Sequence, residues 1–128
     1  VGSGGELSRV MLALKSMIAR HQELPTVLFD EIDSGISGKA AARMAEALRD
    51  VGGNMQLLAI THLPQVAASG QQHWRVRKDQ ENDRTRTSVQ PLSDDERIEE
   101  IARLMSSEGI TEAARAQARE LLAVNESV

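Results

Sequence analysis

The sequence predicts an α/β fold: a parallel βαβ core with an added β-hairpin and two C-terminal helices. Three observations carry that expectation. Two short apolar runs, Thr26-Val27-Leu28-Phe29 and Gln56-Leu57-Leu58-Ala59-Ile60-Thr61, flank a helical stripe of Ile36, Ala40, Ala41, Met44, Ala47, Leu48 and Val51. Strand, helix, strand at this spacing is a right-handed parallel crossover. Further on, two alternating segments flank an acidic turn, and the end of the chain returns to helical periodicity.

Each element has its own signal. From Leu7, apolar residues fall at Leu7, Val10, Met11, Leu14, Met17 and Ile18, an amphipathic recurrence with Arg9, Lys15 and Arg20 on other faces. Gly2-Ser3-Gly4-Gly5-Glu6 precedes this helix, and Pro25 ends the connection after it. The continuous apolar run of Thr26 to Phe29 suits a strand covered on both faces. Gly52-Gly53 stops the second helix. His73 to Arg77 and Arg84 to Val89 read as an antiparallel hairpin around the polar turn Asp79 to Asp83. Ser93-Asp94-Asp95-Glu96 has capping-box spacing, continued by Ile98, Ile101, Ala102 and Met105. Gly109 breaks that helix, and Ile110 to Val124 forms an alanine-rich last one.

At 128 residues the chain is expected to form one domain, residues 1–128. It opens on Val1 and is expected to be a piece of a longer protein. Absence of cysteine excludes disulfides and thiolate zinc sites and suits a reducing cytoplasm. No apolar run approaches the ~18 residues of a membrane span, so a soluble, intracellular protein is expected. The net charge of -4 gives no global attraction to nucleic acid, so any such contact needs a local patch. With one Phe, one Trp and no Tyr, the core must be aliphatic.

The segment LFDEIDSGISGK, Leu28 to Lys39, ends in what resembles a phosphate-binding glycine loop. A P-loop requires G-x-x-x-x-G-K-[ST], in which backbone N–H groups wrap the phosphates and a hydroxyl reaches Mg²⁺. Asp33 stands where the first glycine must be, and Ala40 where the hydroxyl must be. GISGK is therefore a turn into a helix.

Asp30 and Glu31 close an apolar strand, so two carboxylates emerge at the C-terminal edge of a parallel sheet, where ligands of open α/β sheets bind. Four apolar residues followed by Asp-Glu is the Walker B pattern, in which the Asp helps hold Mg²⁺ and the Glu orients or deprotonates water. Apolar strands ending in acids are also common without that function. His62 follows the next strand, at the same edge, where a lone histidine is more often structural. Ser3-Gly4-Gly5-Glu6 opens a helix whose free N–H groups and dipole favour an anion, the alternative being a flexible glycine-rich terminus. Arg75, Arg77, Lys78, Arg84 and Arg86 form a candidate phosphate-binding strip on the hairpin, opposed by acidic residues of the turn.

In combination, SGGELSRVMLALK, TVLFDEIDSGISGKAAARMAEAL and LLAITHLPQVAA resemble the signature motif, the Walker B and D-loop segment, and the switch-histidine segment of an ABC-type ATPase head, in matching order. DEIDSGISG, ITHLPQVAA and the tail RIEEIARLMSSEGITEAARAQARELL are most similar to bacterial DNA-repair relatives of the SMC proteins. The resemblance implies the C-terminal lobe of an ABC/SMC-type P-loop NTPase head using ATP and Mg²⁺ in double-strand-break repair and recombination. It implies that Asp30 is the Mg²⁺-side acid, Glu31 the catalytic carboxylate and His62 the γ-phosphate sensor. Asp33 would be the D-loop residue, and Ser3, Gly4 and Gly5, with Glu6 beside them, would contact ATP held by an opposite head. Partners so implied are an N-terminal lobe carrying Walker A, a second head in an ATP-sandwich homodimer, and DNA, with no membrane and a cytoplasmic, nucleoid-associated location. Alone, the chain is expected not to turn ATP over. A transporter nucleotide-binding domain and a non-catalytic docking module are the rival readings.

Overall fold

The computed structural model describes the backbone of residues 4–30, 36 and 38–126, with side chains from residue 9 onward among these. The chain forms two compact units, residues 1–69 and 70–128.

In the first unit, α1 (Gly4–His21) leads to β1 (Thr26–Asp30), α2 (Gly38–Gly52), β2 (Gln56–Ile60) and the short α3 (Pro64–Ser69). The strands β1 and β2 pair in parallel, Thr26 opposite Gln56 through Asp30 opposite Ile60, which is the expected crossover. α1 closes with a Schellman motif: the Leu24 N–H donates to Ala19 O at 2.9 Å and the Glu23 N–H to Arg20 O at 3.3 Å. Glu23 occupies the left-handed position, φ 53°, usually reserved for glycine. The core gathers Leu12 of α1, Phe29 of β1, Ile36, and Met44, Ala45 and Leu48 of α2, with Val66 of α3. Phe29, the chain's one phenylalanine, is fully buried, so the core is aliphatic around a single ring.

Two expectations about burial do not hold. The sheet is covered on one face only: Val27, Phe29, Leu57 and Ala59 pack on the core, while Leu28, Leu58 and Ile60 on the other face stay about half exposed, 49–50 %. Two strands and their helices supply one covering layer, and the second is not formed by this unit. The apolar stripe of α1 is also turned outward. Val10, Met11, Leu14, Met17 and Ile18 are exposed, and the helix packs instead through Leu12 and Ala19, on the opposite side. The positions at 12, 16 and 19 carry small or single apolar side chains that fit against the sheet, so close packing chose that face over the more apolar one.

In the second unit, β3 (Trp74–Glu81) and β4 (Arg84–Pro91) form the antiparallel hairpin, followed by α4 (Asp94–Met105) and α5 (Glu112–Glu126). The turn is tighter than the acidic segment suggested. Asp79, Gln80 and Glu81 remain in the strand, and Asn82-Asp83 alone turns the chain, both with positive φ (51° and 62°), as a two-residue type I′ loop requires. At α4 the capping box is complete: Ser93 Oγ accepts from the Glu96 N–H at 3.3 Å, and the Glu96 carboxylate accepts from the Ser93 N–H at 3.1 Å. Gly109 breaks the chain with φ 104°, and Thr111 Oγ1 accepts from the Ala114 N–H to start α5. Ile101, Ala102, Ala114 and Ala118 are buried between the two helices.

Candidate functional site

The carboxyl edge of the β1–β2 pair is the one place where the described residues bring predicted site groups together. Asp30 ends β1 directly opposite Ile60, which ends β2, and His62 lies two residues further on. Alternation along β1 puts Phe29 into the core and Asp30 on the open face, where its side chain is exposed. Beyond β2 the chain is held by Thr61, whose Oγ1 accepts from the Leu63 N–H at 3.0 Å. The Leu63 carbonyl then accepts from the Ala67 N–H and starts α3. His62, between two anchored residues, is presented to solvent at the edge that carries Asp30.

The direction of α1 follows from its contacts. Only residues 22–25 join α1 to β1, and Lys15 Nζ donates to the Leu28 carbonyl at 3.2 Å while lying 5.3 Å from the Phe29 ring centroid. Helix residues counted back from His21 therefore lie along strand residues counted forward from Thr26. From Lys15 the helix runs ~16 Å to Gly4, whereas from Leu28 the strand runs only ~7 Å to Asp30. The Gly4-Gly5 start of α1 thus lies past the edge that holds Asp30, by at most about 9 Å, since the Lys15 side chain reaches toward the helix N-terminus.

Glu31, Asp33 and Ser3 lie outside the described residues. Gly4, Gly5 and Glu6 form the first turn of α1. Lys15, which the sequence places on a face other than the apolar stripe, links α1 to β1. Its signal was available in the pattern: a lysine beside the one inward-facing row of α1.

Pairing register places Arg75, Arg77, Arg84 and Arg86 on one face of the hairpin, and Lys78 on the other. That face is not a free cationic strip. Arg77 lies 3.6 Å from Asp79 and Arg75 lies 3.9 Å from Glu100. Arg86 is cross-strand from Asp79, and Arg84 from Glu81. Opposite charges interleaved at cross-strand spacing neutralise much of the field a phosphate backbone would meet.

Beneath the hairpin lies a polar cluster. Glu100, buried, accepts two hydrogen bonds from Arg103, and Arg97 Nη2 donates to Gly70 O at 2.5 Å. Burial, with the Arg97 charge adding to it and Glu100 opposing it, holds the His73 imidazole below the ordinary histidine pKa. Among the described residues no three His, Cys, Asp or Glu side chains gather as a metal cage. Mg²⁺ does not need one, since it is held by one or two carboxylates together with substrate phosphates. No described helix is long and apolar enough to cross a membrane.

No protein-family model matches the chain. Curated proteins do. The DNA repair protein RecN of Halalkalibacterium halodurans is 44% identical over 128 residues, 100% of this chain and 23% of that protein. The similarity to RecN runs along the whole chain. RecN of Bacillus subtilis is 45% identical over 122 residues, 95% of this chain and 21% of that protein. RecN of Deinococcus radiodurans is 49% identical over 123 residues, 96% of this chain and 21% of that protein. The chain thus spans about a fifth of these relatives' length. A chain solved in work on ATP-driven dimerization and DNA-stimulated activation of SMC ATPases superposes with a TM-score of 0.64 at 21% identity. The match covers 84% of this chain and 65% of that one, so the two chains share a fold.

Proposed function

We propose that this chain is the C-terminal lobe of an ATP-hydrolysing head in a RecN-like DNA-repair protein of the bacterial nucleoid, its two units acting as one lobe over residues 1–128. The observation that carries this reading is the division of the site. Asp30 and His62 share one edge, while the Gly4-Gly5 helix start lies past it by up to about 9 Å. A helix N-terminus so placed suits an anion presented by another subunit. That is what two heads enclosing ATP between them require.

Each residue has a chemical task in this reading. The Asp30 carboxylate, exposed at the strand end, supplies a hard oxygen donor for Mg²⁺. Glu31 accepts a proton from, or orients, the attacking water, and His62 donates a hydrogen bond to the terminal phosphate. Ser3, Gly4 and Gly5 offer a hydroxyl and backbone N–H groups to the phosphate of the opposite head, Glu6 flanks them, and Asp33 crosses the same interface. Mg²⁺ held by Asp30 would supply positive charge against the phosphate oxygens. The P-loop comes from an N-terminal lobe of the parent protein, and the half-exposed Leu28, Leu58 and Ile60 with the outward stripe of α1 are the surfaces that lobe covers. Pairing of the heads is ATP-driven, and DNA is engaged in breaks and recombination by surfaces of the whole protein.

The test is Mg²⁺-dependent ATP hydrolysis by the chain alone and after mixing with the N-terminal lobe of its parent. Activity is expected only in the mixture, with Glu31→Gln lowering the rate ~10²- to 10⁴-fold. Turnover by the chain alone, or near-normal turnover with Glu31→Gln, would overturn the assignment.

A further inference from the structure

The hairpin of the second unit turns its apolar face outward. Register and alternation put Arg75, Arg77 and Ser88 on one face and Trp74, Val76, Val89 and Pro91 on the other, with Trp74 directly opposite Pro91 and Val76 opposite Val89. Arg75 approaches Glu100 of α4 from the polar face, where Ser88 is half-buried. On the other face Trp74, Val76 and Val89 are each more than half exposed, and Pro91 is exposed beside them. A strand pair with one covered face ordinarily buries the apolar side and leaves the polar side to water. This hairpin does the reverse.

Such a face is incomplete as it stands. A two-stranded hairpin is marginal without cover for its apolar side, and β3 and β4 pair with no third strand among the described residues. The exposed apolar groups gather at the base of the hairpin. Toward the turn the same face continues as Lys78 opposite Thr87 and Gln80 opposite Thr85, so the patch ends there. A tryptophan flanked by two cross-strand valines is a suitable anchor for a packed contact.

The size of the patch and the length of the relatives choose the occupant. Three half-exposed side chains present roughly 300 Å². A stable complex between separate molecules buries about 800 Å² on each partner. The patch is too small to hold a second molecule by itself, but it suits a segment of the same polypeptide, whose effective concentration is set by the connecting chain. The RecN relatives have that polypeptide: the residues matching this chain make up only 21–23% of their length.

We propose that the Trp74 face of the hairpin is an internal docking surface, covered in the parent protein by an apolar segment of the polypeptide outside residues 1–128. The segment lays aliphatic side chains on Trp74, Val76 and Val89 and stops short of Lys78, whose charge stays in water. The contact is separate from the proposed ATP site and stands whether or not the chain takes part in hydrolysis.

Trp74 is the one tryptophan of the chain, so its fluorescence reports the cover directly. The measurement is acrylamide quenching and emission wavelength of Trp74, in this chain and in the parent protein with its other tryptophans changed to phenylalanine. Trp74 should quench as an exposed indole in this chain, and in the parent the quenching should fall severalfold and the emission move to the blue. A second variant needs no tryptophan replacement. Val76→Glu with Val89→Lys puts opposite charges directly across the ladder, which keeps the hairpin paired but makes its face polar. It should leave the thermal midpoint of this chain unchanged and lower that of the parent. Equal quenching in chain and parent, or a parent midpoint unmoved by the double variant, would overturn the proposal. Protection already complete in this chain at high dilution would place the cover within residues 1–128, and protection in the parent that dilution removes would assign the face to a second copy. Either result overturns it equally.

Discussion

Glu100→Gln isolates the polar cluster that joins α4 to the hairpin. Glu100 is 6% exposed and accepts from Arg103 Nε at 3.1 Å and from Arg103 Nη2, with Arg75 Nη1 3.9 Å from the oxygen that takes the Nε bond. Glutamine keeps the volume and one acceptor, so no cavity opens and the change is one of charge. Hydrogen bonds to charged groups contribute about 1.5–3 kcal/mol and neutral ones about 0.5–1.5 kcal/mol. One of the two bonds becomes neutral and the other, now facing the amide NH2 group, is lost, together about 2.5–4.5 kcal/mol if both partners were buried. Arg103 is 58% exposed, however, and solvent screening reduces the loss to about 1–2 kcal/mol. In a unit of this size that lowers the midpoint by roughly 4–8 °C per kcal/mol. Denaturant titration followed by circular dichroism measures it, and a double-mutant cycle with Arg103→Met should return a coupling of about 1 kcal/mol. A cost below about 0.3 kcal/mol, or strict additivity in the cycle, would show that the pair is only a surface contact and that the cluster does not stabilise the unit.

Other expectations follow from single contacts. Ser93→Ala removes the capping box of α4 and should cost about 1 kcal/mol in the same titration. Glu23→Gly relieves a left-handed residue at the end of α1 and should raise stability by up to about 1 kcal/mol, seen as a higher midpoint. The folded pKa of His73 is depressed, so the unfolded chain binds the proton more tightly than the folded one. The stability from its neutral form is complete above the unfolded value, about 6.5, and is lost as pH falls through it. His73→Gln should flatten that dependence between about pH 7 and pH 5, measured by midpoint against pH.

Period and punctuation made the elements legible. Pro25, Gly52-Gly53 and the Ser93–Glu96 box mark helix and strand limits that the fold keeps within one or two residues, whereas α4 ends at Met105, four residues before Gly109. The hairpin turn was placed too widely because acidic composition suggested solvent, whereas Asp79 and Glu81 are strand residues facing arginines across the ladder. The signal for the true turn was Asn-Asp, the pair that best tolerates positive φ after glycine. α3 gave no periodic signal, being one and a half turns long, and is held by the Leu63 carbonyl and the buried Val66. At the candidate site, the edge position of Asp30 and His62 could be read from strand length alone. The overshoot of α1 could not, since it depends on the Lys15 contact, which fixes how far the helix slides along β1.

The misplaced burial of α1 has the most to say about the whole molecule. An amphipathic stripe of five large apolar residues, Val10, Met11, Leu14, Met17 and Ile18, left outward beside a half-covered sheet is a cost that a lone unit would not sustain without a partner. Periodicity reports which face is buried in the complete assembly, while packing within one unit selects the face that fits. Leu14→Lys separates the two. Leu14 is 49% exposed, so the substitution should leave this chain's own stability within about 0.5 kcal/mol. If the N-terminal lobe covers this stripe, the lost burial of about 1.5–3 kcal/mol should weaken association of the lobes roughly 10- to 100-fold in a titration of one against the other. An unchanged lobe affinity would place the stripe outside that interface, and a large loss of stability in the chain alone would mean that α1 packs by its apolar face after all.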